Sequence, residues 1–509
     1  MRRNTIALLF LSFLFFSSCS AFGGSEEPSF PFDSARIREV MDSVARVDKG
    51  EMYADAYIKA LYEVNPNDTS AKDTFFWINK FGMDGRPEVL LEWLADVESQ
   101  GLSKASFTVD EIADDLKAFR KLRPDSCTQS EVTELLGRLE YRLTRAYMRY
   151  AYGQRYGYVR PNVVFNKILG SSKDEAYKNI YDVPFEVATD SFCAEALQKM
   201  MDAGEMKSFL ADVQPTDSVF YQLCREYQRA VDKGDKSLAG LARLNIERMR
   251  WRYERPGNTG KYVFVNIPTF ELEAYDADKK ATLRMKVCCG KADHRTPLLN
   301  SRINRLDLNP YWNVPMSIIK NEVAPRHTGD AGYFSRNRMV AIEHSTGKEL
   351  SAASLSASEW KSGRYGLRQD RGAGNSLGRL IFRFPNRFSV YLHDTNSPGA
   401  FNRAVRAVSH GCVRVQKPLD LAIFLMDNPS DLLKDKIRVA IDKAPLTQAG
   451  RKYKENTDKE KYMRSYSFDP KVPVYINYYT LYPDSTGVVK SYADVYGYDK
   501  ALLKALDEF

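Results

Sequence analysis

The chain has 509 residues, 44% of them hydrophobic and 28% charged, with a formal net charge of +8. This is the composition of an ordinary globular protein with room for two or three domains. No internal run reaches the roughly 20 apolar residues of a membrane span. Lysine and arginine are scattered, with no zinc-finger spacing, RNA-binding motif or basic helix with heptads, so no nucleic-acid partner is expected.

The chain opens with Arg2 and Arg3, then an apolar run from Ile6 to Phe16 broken only by Ser12, then Ser17, Ser18 and Cys19. That is a secretory-signal pattern, too short for a transmembrane helix. Small residues directly before Cys19 resemble a lipobox, with Phe16 where that motif usually carries leucine. Lipidation would make Cys19 the mature N-terminus; the alternative is a plain signal peptide cut near Ala21. Residues 1–19 are therefore expected to be a leader for an exported protein, and residues 20–34 a polar, proline-containing tether.

From residue 35 to 250 the pattern predicts a helical scaffold domain. Thr108 to Glu111 and Thr128 to Glu131 both have the form of a capping box. After the second, Val132, Leu135, Leu136, Leu139, Leu143, Ala146, Tyr147 and Tyr150 recur at spacings of three and four, which predicts one long amphipathic helix. A further helix is predicted across Leu238 to Trp251. No repeat of solenoid length is present.

Near Pro256-Gly257 the periodicity changes to that of strands. Phe270, Leu272 and Ala274 alternate with glutamates, and Leu283, Met285 and Val287 with Arg284 and Lys286. Further strands are predicted at 380–384, 388–393, 413–415, 437–441 and 472–482, with the 492–498 stretch packed beside the last. One helix is predicted from Pro418 to Met426. Residues 313–375, rich in Ser, Gly, Arg and Lys, read as a lid-like insertion in a domain spanning 256–509. The expected fold class is α+β, a helical N-terminal scaffold followed by a mostly β domain.

Seven cysteines show no disulfide framework in their spacing. Cys127, Cys193 and Cys224 read as buried small apolar residues, and Cys288 and Cys289 as packing residues of a strand. Cys412 differs. It stands in Ser409-His410-Gly411-Cys412-Val413-Arg414, with His393 at the end of a predicted strand and a 15-residue connection, Asp394 to Val408, between them. Acyl transfer needs the thiolate, and a free thiol near pKa ~8.5 is mostly protonated at neutral pH, so a histidine is the usual partner. Two of only five histidines lie within this stretch. Gly411 permits the strained turn that presents a nucleophile, and its N–H with that of Cys412 is an oxyanion candidate. Arg414 shares a strand face with Cys412 and is placed to hold a substrate carboxylate or carbonyl. A zinc site is not expected, since no second cysteine or carboxylate stands at ligand spacing. The residues alone leave open an inert cysteine beside histidines.

These residues, with the spacing of His393, resemble the signature of L,D-transpeptidases with a YkuD-type catalytic domain. Segments 245–251, 265–268, 309–315, 384–386, 391–395 and 401–403, with Pro473-Val474-Tyr475 and Asp494 to Gly497, are similar to the YcbB-like branch. The resemblance covers about 245–500; the helical half matches loosely. The peptidoglycan-binding domain of larger members is not expected, because Tyr221 and Asn245 are too close in the chain to hold it.

The resemblance implies a periplasmic, cofactor-free enzyme acting on peptidoglycan stem peptides, with a possible lipid anchor to the membrane. It implies a ping-pong acyl transfer in which His393 serves Cys412 first as base and then as acid. Carbapenem-type inhibitors are expected to acylate Cys412. Ser409 and His410 are assigned to shaping the turn and orienting His393. Tyr391 and Trp312 either line the groove or pack in the core. An L,D-carboxypeptidase, or attachment of a protein to the wall, would share the same acyl-enzyme; a wall-binding scaffold with a dead site is the non-enzymatic alternative. A papain-type protease does not fit, since there the cysteine precedes the histidine.

Overall fold

The computed structural model describes residues 28–48, 52–62, 75–168, 181–184, 186–187, 189–252, 260–278 and 280–509. The leader with Cys19, most of the tether and the change of pattern at Pro256-Gly257 lie outside these. Among the described residues no helix is long and apolar enough to cross a membrane.

The helical half is organised by one 28-residue helix, Gln129–Tyr156. Its start follows the sequence. Thr128 Oγ1 accepts the Glu131 N–H at 3.3 Å, and the Glu131 carboxylate accepts the Thr128 N–H at 2.9 Å. Val132, Leu136, Leu139, Leu143, Tyr147 and Tyr150 face one core with Ile37, Trp77, Leu90, Phe107 and Ile112. The other capping box does not form. Helix Val109–Phe119 begins where expected, but Thr108 sits at φ 51° and makes no side-chain cap. Its N–H closes the preceding turn onto Ala105 O at 3.1 Å, and its hydroxyl is left buried without a partner. The end of the expected tether is anchored: Phe30 donates its N–H to Lys80 O at 2.8 Å and packs on Phe119.

Helix Lys236–Arg250 staples the two halves. Toward the β half, Asn245 Oδ1 accepts the Thr480 N–H at 3.0 Å, and Arg248 reaches Asp499 at 2.6 Å. Toward the helical half, the fully buried Glu247 accepts the N–H groups of Tyr158 and Val159 at 2.6 and 2.8 Å. It also accepts Trp251 Nε1 at 3.2 Å and pairs with Arg250 at 3.3 Å. Glu247→Ala is expected to leave these donors unpaired and to strip a buried guanidinium of its carboxylate, at a cost of about 3–5 kcal/mol. Urea unfolding followed by circular dichroism measures it; a loss below about 1 kcal/mol would count against the staple.

In the β half eight strands of a ten-stranded sheet close into a ring, with Tyr181–Asp182 and Ala407–Ser409 paired to it from outside. The order is Leu298–Leu308, Leu380–Arg383, Leu392–His393, Val413–Val415, Ala281–Gly290, Glu271–Tyr275, Tyr262–Asn266 and Ser465–Asn477, and this last strand pairs again with Leu298–Leu308. Strand alternation puts Leu306, Phe382, Leu392, Val413 and Cys289 into the enclosed core. Residues 312–369 build a separate four-stranded sheet, Trp312–Val314, Tyr365–Gln369, Met339–Glu343 and Glu349–Ser351, with its own core around Phe334, Trp360 and Leu367.

Two expected strands and one reading of the cysteines differ. The stretch 437–441 is no strand: it ends helix Asp431–Ala440, capped by Ser430 Oγ, which accepts the Leu433 N–H at 3.2 Å. Ile437, Val439 and Ile441 alternate as a strand would, while Ile437, Ala440 and Ile441 stand at helical spacing, and all four are buried. Only Leu392–His393 of the strand expected at 388–393 is in the sheet. Before it, Asn386 Oδ1 accepts the N–H groups of Phe388 and Val390 at 3.0 and 3.1 Å, folding a loop in which Ser389 has φ 54°. Cys193 is buried as expected, but Cys127 and Cys224 are only half-buried.

Candidate active site

The sheet register builds the site. Asp307, Ile381, His393, Arg414 and Cys288 are successive cross-strand partners, one residue out of step with the core row and therefore on the opposite face. One step back, Tyr391 lies beside Cys412, with the Val413 N–H bonded to Tyr391 O at 3.0 Å. Arg383 is the next position across the sheet from Tyr391. Cys412, Arg414, Tyr391 and His393 thus share one face away from the core. Cys288 and Cys289 point opposite ways: Cys289 packs inside the ring and Cys288 stands beside Arg414.

The turn carrying Cys412 is held by its backbone. Gly411 has φ 111°, a conformation open to glycine and rare for other residues. Ser409 Oγ donates to Cys412 O at 2.5 Å and accepts the Gly411 N–H at 3.2 Å. The Gly411 carbonyl accepts Thr296 Oγ1 at 2.8 Å, and Thr296 Oγ1 accepts the Gly290 N–H at 2.8 Å. Tyr496 OH accepts the Thr296 N–H at 3.1 Å and donates to Gly290 O at 2.8 Å. A Cβ on Gly290 would lie 2.0 Å from His294 O, so this close approach requires glycine. Buried Arg406 donates to Val287 O at 3.1 Å and Phe270 O at 3.0 Å, fixing the loop that leads into the turn.

Cys412 is partly exposed, and its thiol points at Ser389 O, 3.9 Å away. Burial pushes the thiol above its ordinary value, while the backbone of Tyr391 and the guanidinium groups of Arg414 and Arg383 pull it down. His393 is 4% exposed, and its Nδ1 is buried without a hydrogen-bond partner among the described residues. Burial, with Arg414 second, pushes the imidazole down to about 4, against the opposing backbone of Asp394 and Leu377. At neutral pH the resting pair is therefore a neutral thiol and a neutral imidazole. This departs from a base poised near working pH.

The expected residues divide into those gathered at the turn and those placed elsewhere. Ser409, Gly411, Cys412, Arg414, Tyr391 and His393 lie together on or behind one sheet face. His410 turns away from His393: its Nε2 meets Glu322 Oε1 of the insertion at 2.6 Å, and its ring packs against His294 at 5.1 Å between centroids. The Gly411 N–H is occupied by Ser409 Oγ. The Cys412 N–H, by contrast, has no partner among the described residues. Trp312 is half-buried in the insertion's own sheet opposite Gln369 and packs against the insertion's core. Sequence reasoning missed Thr296, Arg406, Glu322 and Arg383. None lies in a local motif; each acts across a long separation in the chain.

Comparison with known proteins matches residues 260–441 to the family described as YkuD, the L,D-transpeptidase catalytic domain, and residues 58–226 to one described as a scaffold domain. A Haemophilus influenzae protein named "Putative L,D-transpeptidase" is 31% identical over 243 residues, 47% of this chain and 45% of that protein. The chain thus spans less than half the length of this curated relative. The crystal structure of L,D-transpeptidase 3 from Mycobacterium tuberculosis matches at 10% identity with a TM-score of 0.19, covering 45% of this chain and 73% of that one. That likeness is too slight to carry an argument. The β half thus carries a YkuD-type domain, and a helical scaffold domain precedes it.

Proposed function

We propose, from the L,D-transpeptidase catalytic domain in the β half, that this chain forms 3→3 cross-links between peptidoglycan stem peptides through a Cys412 thioester. One observation carries the reading: Cys412 stands at a glycine turn on the same strand face as a buried imidazole with an unpartnered nitrogen. A turn of the Cys412 side chain away from Ser389 O would give its proton a route to His393. The sulfur then attacks the carbonyl of the third stem residue, with the Cys412 N–H facing the developing oxyanion. The carbon–nitrogen bond to the terminal D-alanine breaks, and His393 returns the proton to the departing nitrogen. A side-chain amine of a second stem attacks the thioester; the new amide forms, the carbon–sulfur bond breaks, and the proton from nitrogen restores the thiol. The YcbB-like branch is the finer assignment, supported by the Asn245-to-Trp251 staple. Export, and an anchor at Cys19, follow from the leader pattern; Cys19→Ala would then move the protein from membrane to soluble fraction, and unchanged fractionation would count against the anchor.

Mass spectrometry of products from defined tetrapeptide muropeptides tests the function. Dimers with loss of one D-alanine per bond are expected. Tripeptide alone would indicate an L,D-carboxypeptidase, and muropeptide carried on another protein would indicate wall attachment. None of the three products would overturn the reading.

A further inference from the structure

The same strand face carries charges that the proposed chemistry leaves unused. Arg305 and Arg383 are cross-strand partners, and both bind Asp307, Arg305 at 2.8 Å. The Arg383 guanidinium also lies over the Tyr391 ring, 4.7 Å from its centroid. Arg383 therefore belongs to the row that runs from Cys412 through Tyr391 across the sheet. Its side chain keeps 30% of its exposure, and Asp307 only 13%. Asp307 thus acts as an internal brace for two arginines, and this end of the row retains a net positive charge. On the other side of Cys412, Arg414 has no acidic partner among the described residues, and its Nε is buried without a hydrogen bond. A guanidinium held beside an aromatic ring by a buried carboxylate is pre-organised to bind a second carboxylate in a forked geometry.

We propose that Arg383, with Arg414, forms a carboxylate subsite flanking Cys412, which makes the site selective for acyl donors carrying a free carboxylate close to the scissile carbonyl. This rests on the acyl-transfer reading and narrows its substrate class. A peptide laid across the strands from Cys412 meets Tyr391 and then Arg383. The sequence hid this residue, because an arginine ending a strand reads as an ordinary solvated charge.

Two measurements test the subsite on the full chain. The first compares alkylation of Cys412 by iodoacetate and by iodoacetamide, followed by intact mass. In both the sulfur displaces iodide, but only iodoacetate carries a carboxylate, so their rate ratio isolates anion binding from thiol ionisation. Arg383→Gln is expected to lower the iodoacetate-to-iodoacetamide ratio by about tenfold, as for loss of one charged hydrogen-bonding partner. Arg383→Lys, which keeps the charge but loses the fork, should retain part of it and guards against a folding defect. An unchanged ratio in Arg383→Gln would overturn the subsite. The second measurement uses tetrapeptide donors with each carboxylate amidated in turn. The wild type should lose about tenfold in kcat/KM on one amidated donor, and Arg383→Gln should no longer distinguish it. Turnover that keeps the same preference in Arg383→Gln defeats the subsite alone. Absence of any wild-type turnover with a lowered alkylation ratio defeats the acyl-transfer reading and leaves the subsite standing.

Discussion

Cys412→Ala is expected to abolish both the mass adduct of a carbapenem and the formation of cross-linked dimers. The loss in rate should be on the order of 10⁴-fold or more, the scale on which removal of a covalent nucleophile is felt. No other described thiol can take its place: Cys127 and Cys224 lie in the helical half, and burial pushes the Cys224 thiol up to about 11. Cys288 and Cys289 are fully buried, and burial pushes both thiols up. Cys193 is buried, and its thiol is pushed up to about 12. Cys412→Ser should be almost as inactive, because a hydroxyl is a far weaker acid than a thiol and the desolvated His393 is a weak base. The fold should survive either change, since the turn is fixed by Gly411, Ser409 and Thr296 rather than by the sulfur. The variant's far-UV spectrum and intact mass after carbapenem treatment decide it; an adduct on Cys412→Ala would remove the mechanism.

What the sequence discloses here follows from the range over which each interaction acts. The helix Gln129–Tyr156 is readable because its capping box and its apolar stripe are local patterns that agree. The helical half followed by a β half is readable for the same reason. The helix Asp431–Ala440 is misread because five residues cannot separate a period of two from one of 3.6. At the site, the residues within the Ser409–Arg414 run and His393 are legible because spacing alone sets them on neighbouring strands. The partners of His410 and Gly411 are not. His410 meets Glu322, 88 positions away, and the Gly411 carbonyl meets Thr296, 115 away. The insertion reads as a polar lid because its composition is polar, while Trp360 and Phe334, which give it a core, are too sparse to announce one. Its Glu322 brings it onto the turn that carries Cys412, a contact that no local pattern encodes.

His393→Gln is expected to slow acylation of Cys412 by about 10²- to 10⁴-fold while leaving the protein folded, the range for loss of a general acid–base. The more telling measurement is the pH profile of the wild type. An imidazole in water titrates near 6.5, whereas burial and Arg414 push His393 down to about 4. Only the neutral ring can accept the thiol proton. The acylation rate should therefore hold steady as pH falls from 7 to about 5, then drop as protonation sets in near 4. Stability changes with the same sign. Between 6.5 and about 4 the unfolded ring takes up a proton that the folded one refuses, so the contribution of the buried neutral ring is complete above 6.5 and lost as pH falls. Activity in this window must accordingly be corrected for the folded fraction. Arg414→Gln supplies the control. Removing that cation eases protonation of His393 and withdraws a stabiliser of the thiolate, so the acid limb should rise toward 6.5 while the rate above it falls. A wild-type limb already near 6.5, unmoved by Arg414→Gln, would show that the working imidazole is solvated, and the neutral resting pair would have to be abandoned.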